Sequence, residues 1–193
     1  FDIIPIYVFD GAPPKEKQDV LDSRKEHKVK IQQKVEELEA QIQKLTLEED
    51  DLRKQLEEQI KQTQKKCINI TREDVDNLKK TFDIMGVKYI QADCEADLIC
   101  CKLFKTGKVD ACLSNDMDFL PSGCGILLRN YNNSNKVLEY NLKYILQILN
   151  FTYEQFVDFC ILCGCDYTCK VPKLGSETAY KYIKAHGNIE KIL

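Results

Sequence analysis

The sequence predicts an α/β protein: a mostly parallel central sheet flanked by helices, interrupted early by a long helical insertion and followed by a helical C-terminal part. Three observations carry this. Between residues 70 and 140, short β-branched and aromatic runs alternate with helix-length amphipathic stretches, the pattern of βαβ units. From Lys15 to Lys66 there is neither Gly nor Pro, and apolar residues recur with heptad-like spacing. Beyond Asn141 the strand signals cease, and Gly164, Gly175 and Gly187 divide a helical remainder.

Each element follows from its local chemistry. Residues 3 to 9 are strand-like and end at the turn Asp10-Gly11-Ala12-Pro13-Pro14. In the insertion, Ile31, Val35, Leu38, Ile42, Leu45, Leu52 and Leu56 form the apolar stripe. A single helix of this length would reach about 75 Å at 1.5 Å per residue and leave the globule. A hairpin breaking at Thr46-Leu47-Glu48-Glu49, which has the form of a capping box, is favoured over one continuous helix. The first arm is basic, with Arg24, Lys25, Lys28, Lys30 and Lys34 against Glu26, whereas Glu36 to Glu58 is acidic. Thr71 to Asp74 opens a helix that stops at Gly86. Then come a strand at 87–90, a helix at 95–105, a buried strand at 109–113, and short strands at 125–129 and 136–140 around an Asn-rich loop.

Composition narrows the function classes. The 193 residues carry 28 Lys+Arg against 31 Asp+Glu, a formal net charge of −3, with 44% hydrophobic residues. That content builds a real core and excludes disordered and collagen-like classes. No apolar run is long enough to span a bilayer, and no secretory signal is visible, so a nuclear or cytosolic address is expected, and secretion is not. Asn69, Asn132 and Asn150 head glycosylation acceptor triplets that are idle in that setting. The ten cysteines there read as reduced thiols. Cys160, Cys163, Cys165 and Cys169 are spaced closely enough to invite a zinc or iron–sulfur reading, but helical spacing favours burying Cys160 and Cys163 as small hydrophobes. An acidic balance argues against gripping nucleic acid by bulk positive charge. Opening at Phe1, within a strand and without an initiator Met, the chain is expected to be a fragment.

The acids carry the chemistry. Asp10 ends the first strand, Asp116 and Asp118 follow the strand at 109–113, Glu95 and Asp97 open a helix just after another strand, and Asp166 follows a helix-ending Gly. In an open parallel sheet, ligands bind at the carboxyl ends of the strands. Four separate segments can therefore deliver six carboxylates to one rim. Their repulsion is resolved by divalent metal, and hard oxygen donors without His favour Mg²⁺ or Mn²⁺. Two such ions suit phosphodiester hydrolysis. Singly, each acid has a plainer reading: a solvated loop for Asp116 and Asp118, a helix-dipole partner for Glu95 and Asp97. Residues two apart on a helix point to different sides, so Glu95 and Asp97 share a site only if the helix begins between them or they serve different ions.

Val8-Phe9-Asp10-Gly11 with Pro13-Pro14, Cys94-Glu95-Ala96-Asp97, Asn115-Asp116-Met117-Asp118, and the stretch from Phe156 to Gly164, Asp166 and Tyr167 together resemble the structure-specific 5′ nucleases of the XPG and flap endonuclease type. The resemblance covers essentially the whole chain. It implies a PIN-like nuclease core and Asp10, Glu95, Asp97, Asp116, Asp118 and Asp166 as ligands of two Mg²⁺ ions. Lys17 and Arg24, seven apart and hence on one helical face, match the family's Lys and Arg that approach the scissile phosphate, and two cations there suit its developing charge. The helical segment resembles an arch that passes a single-stranded flap. Lys25 and Lys28 fall on its basic arm. Val171 to Lys184 resembles a helix–two-turn–helix that holds duplex through Gly175 and Lys181, with a potassium ion in its turn. Departures are Asp97 for a longer Glu, Lys173 where a Gly is usual, and Glu177 and Thr178 at often-basic positions. The last three count against the potassium ion and predict a weaker grip on duplex.

The domain reading that follows is a nuclease core over 1–14 and 67–150, a helical arch over 15–66, and the helix–two-turn–helix part over 151–193. The implied partner is branched or flapped DNA, met by a monomer in the nucleus or, for a virus, at a cytoplasmic replication site. The family's first strand, with a further metal-site Asp, and its sliding-clamp motif are not within these residues, so the segment alone is expected to be nearly inactive. Two rival readings remain open, a non-catalytic binder of DNA junctions and a coiled-coil interaction protein using 15–66.

Overall fold

The computed structural model describes residues 3–45, 49–65, 70–131, 136–168 and 171–192. Thr46 to Glu48 of the expected capping box, Asn69, the acceptor triplet at Asn132, and Cys169 lie outside them. The contacts divide the chain into two compact units, Gln18–Val87 and the pair of segments Phe1–Lys17 and Lys88–Leu193.

In the first of these, α1 (Gln18–Lys44) and α2 (Asp50–Gln64) pack together as a helical hairpin. The break falls where the sequence placed it. Val35, Leu38, Leu56 and Ile60 form the buried seam, with Ile42 and Leu45 against it. Leu52, part of the predicted stripe, is instead 44% exposed, and Ile60 takes the inward place. Leu56 and Ile60, four residues apart, share one face of α2 and turn inward. α3 (Arg72–Met85) starts at a capping box: the Thr71 side chain accepts from the Asp74 N–H at 3.1 Å, and the Asp74 carboxylate accepts from the Thr71 N–H at 2.8 Å. It ends at Gly86, whose φ of 69° is the left-handed conformation that a residue with a Cβ resists.

The other unit holds the strands. β1 (Tyr7–Phe9) runs parallel to β2 (Tyr89–Gln91), with Tyr7 opposite Tyr89 and Phe9 opposite Gln91. After α4 (Ala96–Lys105), β3 (Cys112–Leu113) pairs parallel with β4 (Ile126–Arg129), which pairs antiparallel with β5 (Leu138–Asn141). α5 (Leu142–Leu149), α6 (Tyr153–Cys163) and α7 (Ser176–His186) complete it. The α/β class therefore holds, but among the described residues the strands form a two-stranded and a three-stranded sheet. β4 and β5 are too near in the chain for a crossover, and they pair antiparallel.

The core of this unit gathers Cys101, Cys112, Phe119, Leu120, Cys124, Leu127, Leu142, Phe151, Phe156 and Ile183. Three of its ten members are thiols used as small hydrophobes. Burial pushes the Cys160 thiol up to about 12, which suits packing better than metal ligation. The acceptor triplet at Asn150 is spent on helix ends. Asn150 closes α5 in the left-handed conformation, and Thr152 caps α6 in a box with Gln155.

Candidate active site

Because β1 and β2 are parallel, their carboxyl ends lie at the same edge, and Asp10 follows directly on β1. The Gln91 side-chain amide donates to the carbonyls of Asp10 and Ala92, both at 2.9 Å, tying the two strand ends together. Gly11 then passes so close to the neighbouring chain that its N–H donates to Cys94 O at 2.7 Å. A Cβ there would stand 2.3 Å from Ala92 O, so only glycine fits.

This close passage aims Asp10 at the start of α4. Asp10 Oδ1 accepts from the Ala96 N–H at 2.8 Å and satisfies one of the helix's unpaired amides. α4 begins at Ala96: Glu95 is extended (φ −67°, ψ 137°) and Asp97 lies in the first turn. The helix thus starts between the two acids, the condition under which they can serve one site. Asp10 joins Asp97 at the dipole's positive end, the role that the spacing offered to Glu95 and Asp97.

The third segment hangs between buried anchors. Cys112 precedes it and Phe119 and Leu120 follow it, all three within 5% exposure. Inside, the Asp116 N–H donates to Ser114 Oγ at 3.1 Å and the Asp118 N–H to Asp116 Oδ1 at 2.9 Å. Arg129 Nη2 holds Asn115 O at 2.7 Å, and Asn115 Oδ1 accepts from the Asn130 N–H at 3.0 Å. The fourth segment follows α6, where Gly164 turns with a φ of 100° and delivers Asp166 and Tyr167.

Lys17, at the end of a short 3₁₀ turn (Lys15–Lys17), closes the arrangement. Its Nζ lies 2.5 Å from Glu95 Oε1 and 3.2 Å from Asp166 Oδ2. Tyr167 donates a very short hydrogen bond to the other oxygen, Glu95 Oε2, and its ring centroid is 5.7 Å from the same Nζ. Glu95 is a buried acid, only 8% exposed. Burial pushes its carboxyl up, but the bonds from Lys17 and Tyr167 outweigh that and hold it below the usual range. Burial likewise opposes the charge on Lys17, and the bonds to Glu95 and Asp166 outweigh it. The Tyr167 hydroxyl is raised by burial and by its bond to Glu95.

The remaining acids repel one another. Burial first, then Asp116, Asp10 and Glu95, push Asp97 up to about 6. Asp118 is raised by burial, Asp116, Asp166 and Glu95. All six carboxylates predicted from sequence, and Lys17, are therefore brought together in one unit. The other predicted residues stand elsewhere in the chain. Arg24, Lys25 and Lys28 belong to α1 in the other unit, Lys25 pairing with Asp22 at 3.1 Å. Gly175 is the N-cap of α7 and Lys181 an exposed residue in the middle of that helix. Gly11 and Tyr167 stand in the motifs without a role assigned by sequence, and Gln91 and Arg129 carry no sequence signal; Gln91 reaches Asp10, 81 positions away, and Arg129 reaches Asn115, 14 positions away.

The donor set fits a divalent metal in chemistry. It is all oxygen, and the charge that burial and the neighbouring carboxylates disfavour on Asp97 and Asp118 is what a hard cation would stabilise. Among the described residues no three His, Cys, Asp or Glu side chains are arranged to hold a metal ion; between Glu95 and Asp166 the cation present is the Lys17 ammonium.

The chain is similar to known nucleases in sequence and in fold. The XPG I-region family profile matches residues 86–166, which carry five of the six acids. Flap endonuclease 1 of Salmo salar is 38% identical over 195 aligned positions, covering 99% of this chain and 48% of that protein. The chain thus spans about half the length of the curated relatives it matches. Among solved structures, the catalytic core of Rad2 in complex with DNA substrate shares the fold, with a TM-score of 0.69 at 23% identity over 98% of this chain and 50% of that one. Flap endonuclease-1 from Methanococcus jannaschii gives a TM-score of 0.64 at 25% identity, over 95% and 55%. In sequence the chain is similar to flap endonucleases over about half their length, and its fold is that of the Rad2 and flap endonuclease structures.

Proposed function

We propose that this chain is the catalytic part of a Mg²⁺-dependent, structure-specific 5′ nuclease that cleaves flapped or branched DNA near the junction of single strand and duplex, in replication and repair. The observation that carries the reading is the gathering of six carboxylates from four segments around Lys17. Asp10, Glu95, Asp97, Asp116, Asp118 and Asp166 are the donors assigned to two Mg²⁺ ions, with Mn²⁺ as substitute. Bound there, the ions supply an activated water and stabilise the charge of an in-line displacement. The residues themselves do the rest. Asp10 fixes the start of α4 and so the spacing of Glu95 and Asp97. Lys17, and Arg24 from the first arm, offer cations to the phosphate. Lys25 and Lys28 track the backbone of the flap, while Gly175 and Lys181 hold duplex. Lys173, with a φ of 62°, stands at the turn position where a glycine is usual, which counts against the potassium ion that the resemblance implies.

The test is a panel of flap, nicked and blunt DNAs with Mg²⁺, using the full-length protein. The flap substrate should be cut near its junction. Asp118→Ala should abolish cutting and leave DNA binding in place. Uncut flaps with no divalent-ion binding would replace this reading with that of a non-catalytic junction binder, and unchanged cutting by Asp118→Ala would end the metal assignment.

A further inference from the structure

We infer that Tyr167 is a positioning residue that fixes the orientation of the Glu95 carboxylate within the acid cluster. The inference deepens the reading of Glu95 as a metal donor and rests on it.

Glu95 needs such a partner more than the other acids do. It precedes α4 in extended backbone. It is also the most deeply buried of the six, and a buried carboxylate must have both oxygens satisfied. Oε1 takes the Lys17 ammonium and Oε2 takes the Tyr167 hydroxyl. Two donors on two different oxygens define the plane of the group, whereas one would leave it free to rotate.

The position of Tyr167 in the chain makes the contact consequential. It directly follows Asp166, so the turn after α6 that delivers one proposed ligand also delivers the hydroxyl that orients another, 72 residues away. The start of α4 and the end of α6 are thereby linked at the site itself. The same ring stands 5.7 Å from the Lys17 ammonium, so one side chain faces both members of the Lys17–Glu95 pair. A phenylalanine would keep the ring and lose the hold on Oε2. An outer-shell bond of this kind is typically worth about 10–100-fold in metal affinity or activity.

The experiment is direct Mn²⁺ binding to the full-length protein without DNA, by calorimetry, beside the Mg²⁺ dependence of flap cleavage. Tyr167→Phe should weaken Mn²⁺ binding about 10-fold and raise the half-saturating Mg²⁺ by a similar factor. Excess Mg²⁺ should restore most of the rate. In a Glu95→Gln background, adding Tyr167→Phe should have no effect on Mn²⁺ binding, because the hydroxyl acts through the carboxylate. Loss of thermal stability with unchanged Mn²⁺ affinity and unchanged Mg²⁺ dependence would overturn the inference alone, leaving the nuclease reading intact. Wild-type protein that binds no Mn²⁺ would overturn both.

Discussion

Replacing Lys17 with Met removes the ammonium and keeps most of the side chain's length and packing. The structure sets the size of the effect. The Lys17 side chain is 17% exposed and that of Glu95 10%, so their 2.5 Å contact is shielded, whereas Asp166 at 31% is partly screened by water. A hydrogen bond to a charged group contributes about 1.5–3 kcal/mol, and the screened one less. The larger cost is that Glu95 stays buried with Oε1 unpaired. Together these give a loss of about 3–5 kcal/mol in metal-free stability. The carboxylates released from Lys17 are then free for a divalent ion, and about 1.4 kcal/mol no longer spent on displacing the ammonium tightens binding about tenfold. Lys17→Met should therefore unfold at lower urea in EDTA, bind Mn²⁺ roughly tenfold or more tightly, and yet cut flap DNA more slowly in single turnover. Urea titrations with and without Mn²⁺, together with calorimetry, measure the first two, and a single-turnover cleavage assay the third. Equal Mn²⁺ affinity in variant and wild type would refute the idea that Lys17 and the metal compete for Glu95 and Asp166.

Other perturbations test separate parts of the arrangement. Asp97, pushed up to about 6 from an unfolded value near 3.8, favours the folded state in its protonated form; that contribution is full below about pH 4 and lost as pH rises through about 6. Asp97→Asn should accordingly stabilise the metal-free protein by about 1–2 kcal/mol at about pH 8 and by much less at about pH 4, read from urea midpoints in EDTA. Gly11→Ala drives a methyl against Ala92 O and should cost more than about 2 kcal/mol while also weakening Mn²⁺ binding, since it moves Asp10 off α4; normal stability and metal binding would show that the backbone can yield. Lys173 has a φ of 62°, so Lys173→Gly should raise stability by about 1 kcal/mol in thermal unfolding.

What could be read from the sequence was whatever a few consecutive residues decide. Thr71, Asp74 and Gly86 bound a helix through bonds between near neighbours in the chain, and the structure has that helix within a residue of its predicted ends. The acids were legible for a related reason: each stands where one element gives way to another, and the sequence marks such boundaries with Gly, Pro and caps. Pairings across the chain carry no such mark. Nothing near Glu95 announces Lys17, 78 positions away, or Tyr167, 72 positions on. Nothing in the strand-like runs says that β4 meets β5 antiparallel or that the sheet divides, because those choices depend on connection length and tertiary packing. The same limit hid the phase of α2, where a strict repeat carried across the connection selected Leu52 over Ile60.

The net charge of −3 illustrates how far a sum over the chain is from a statement about its surface. Six of the 31 acids converge on one rim, where two are pushed toward neutrality and two are partnered by Lys17. Another acidic block lies in the second arm of the helical hairpin, and what remains is mildly basic. Part of the acidity that seemed to argue against DNA is concentrated where a divalent cation would need it. A chain with the same total spread evenly would repel the backbone everywhere and bind an ion nowhere. Position decides the function of the charge, and here position is set by two parallel strand ends, one glycine without room for a Cβ, and a lysine that holds two acids together.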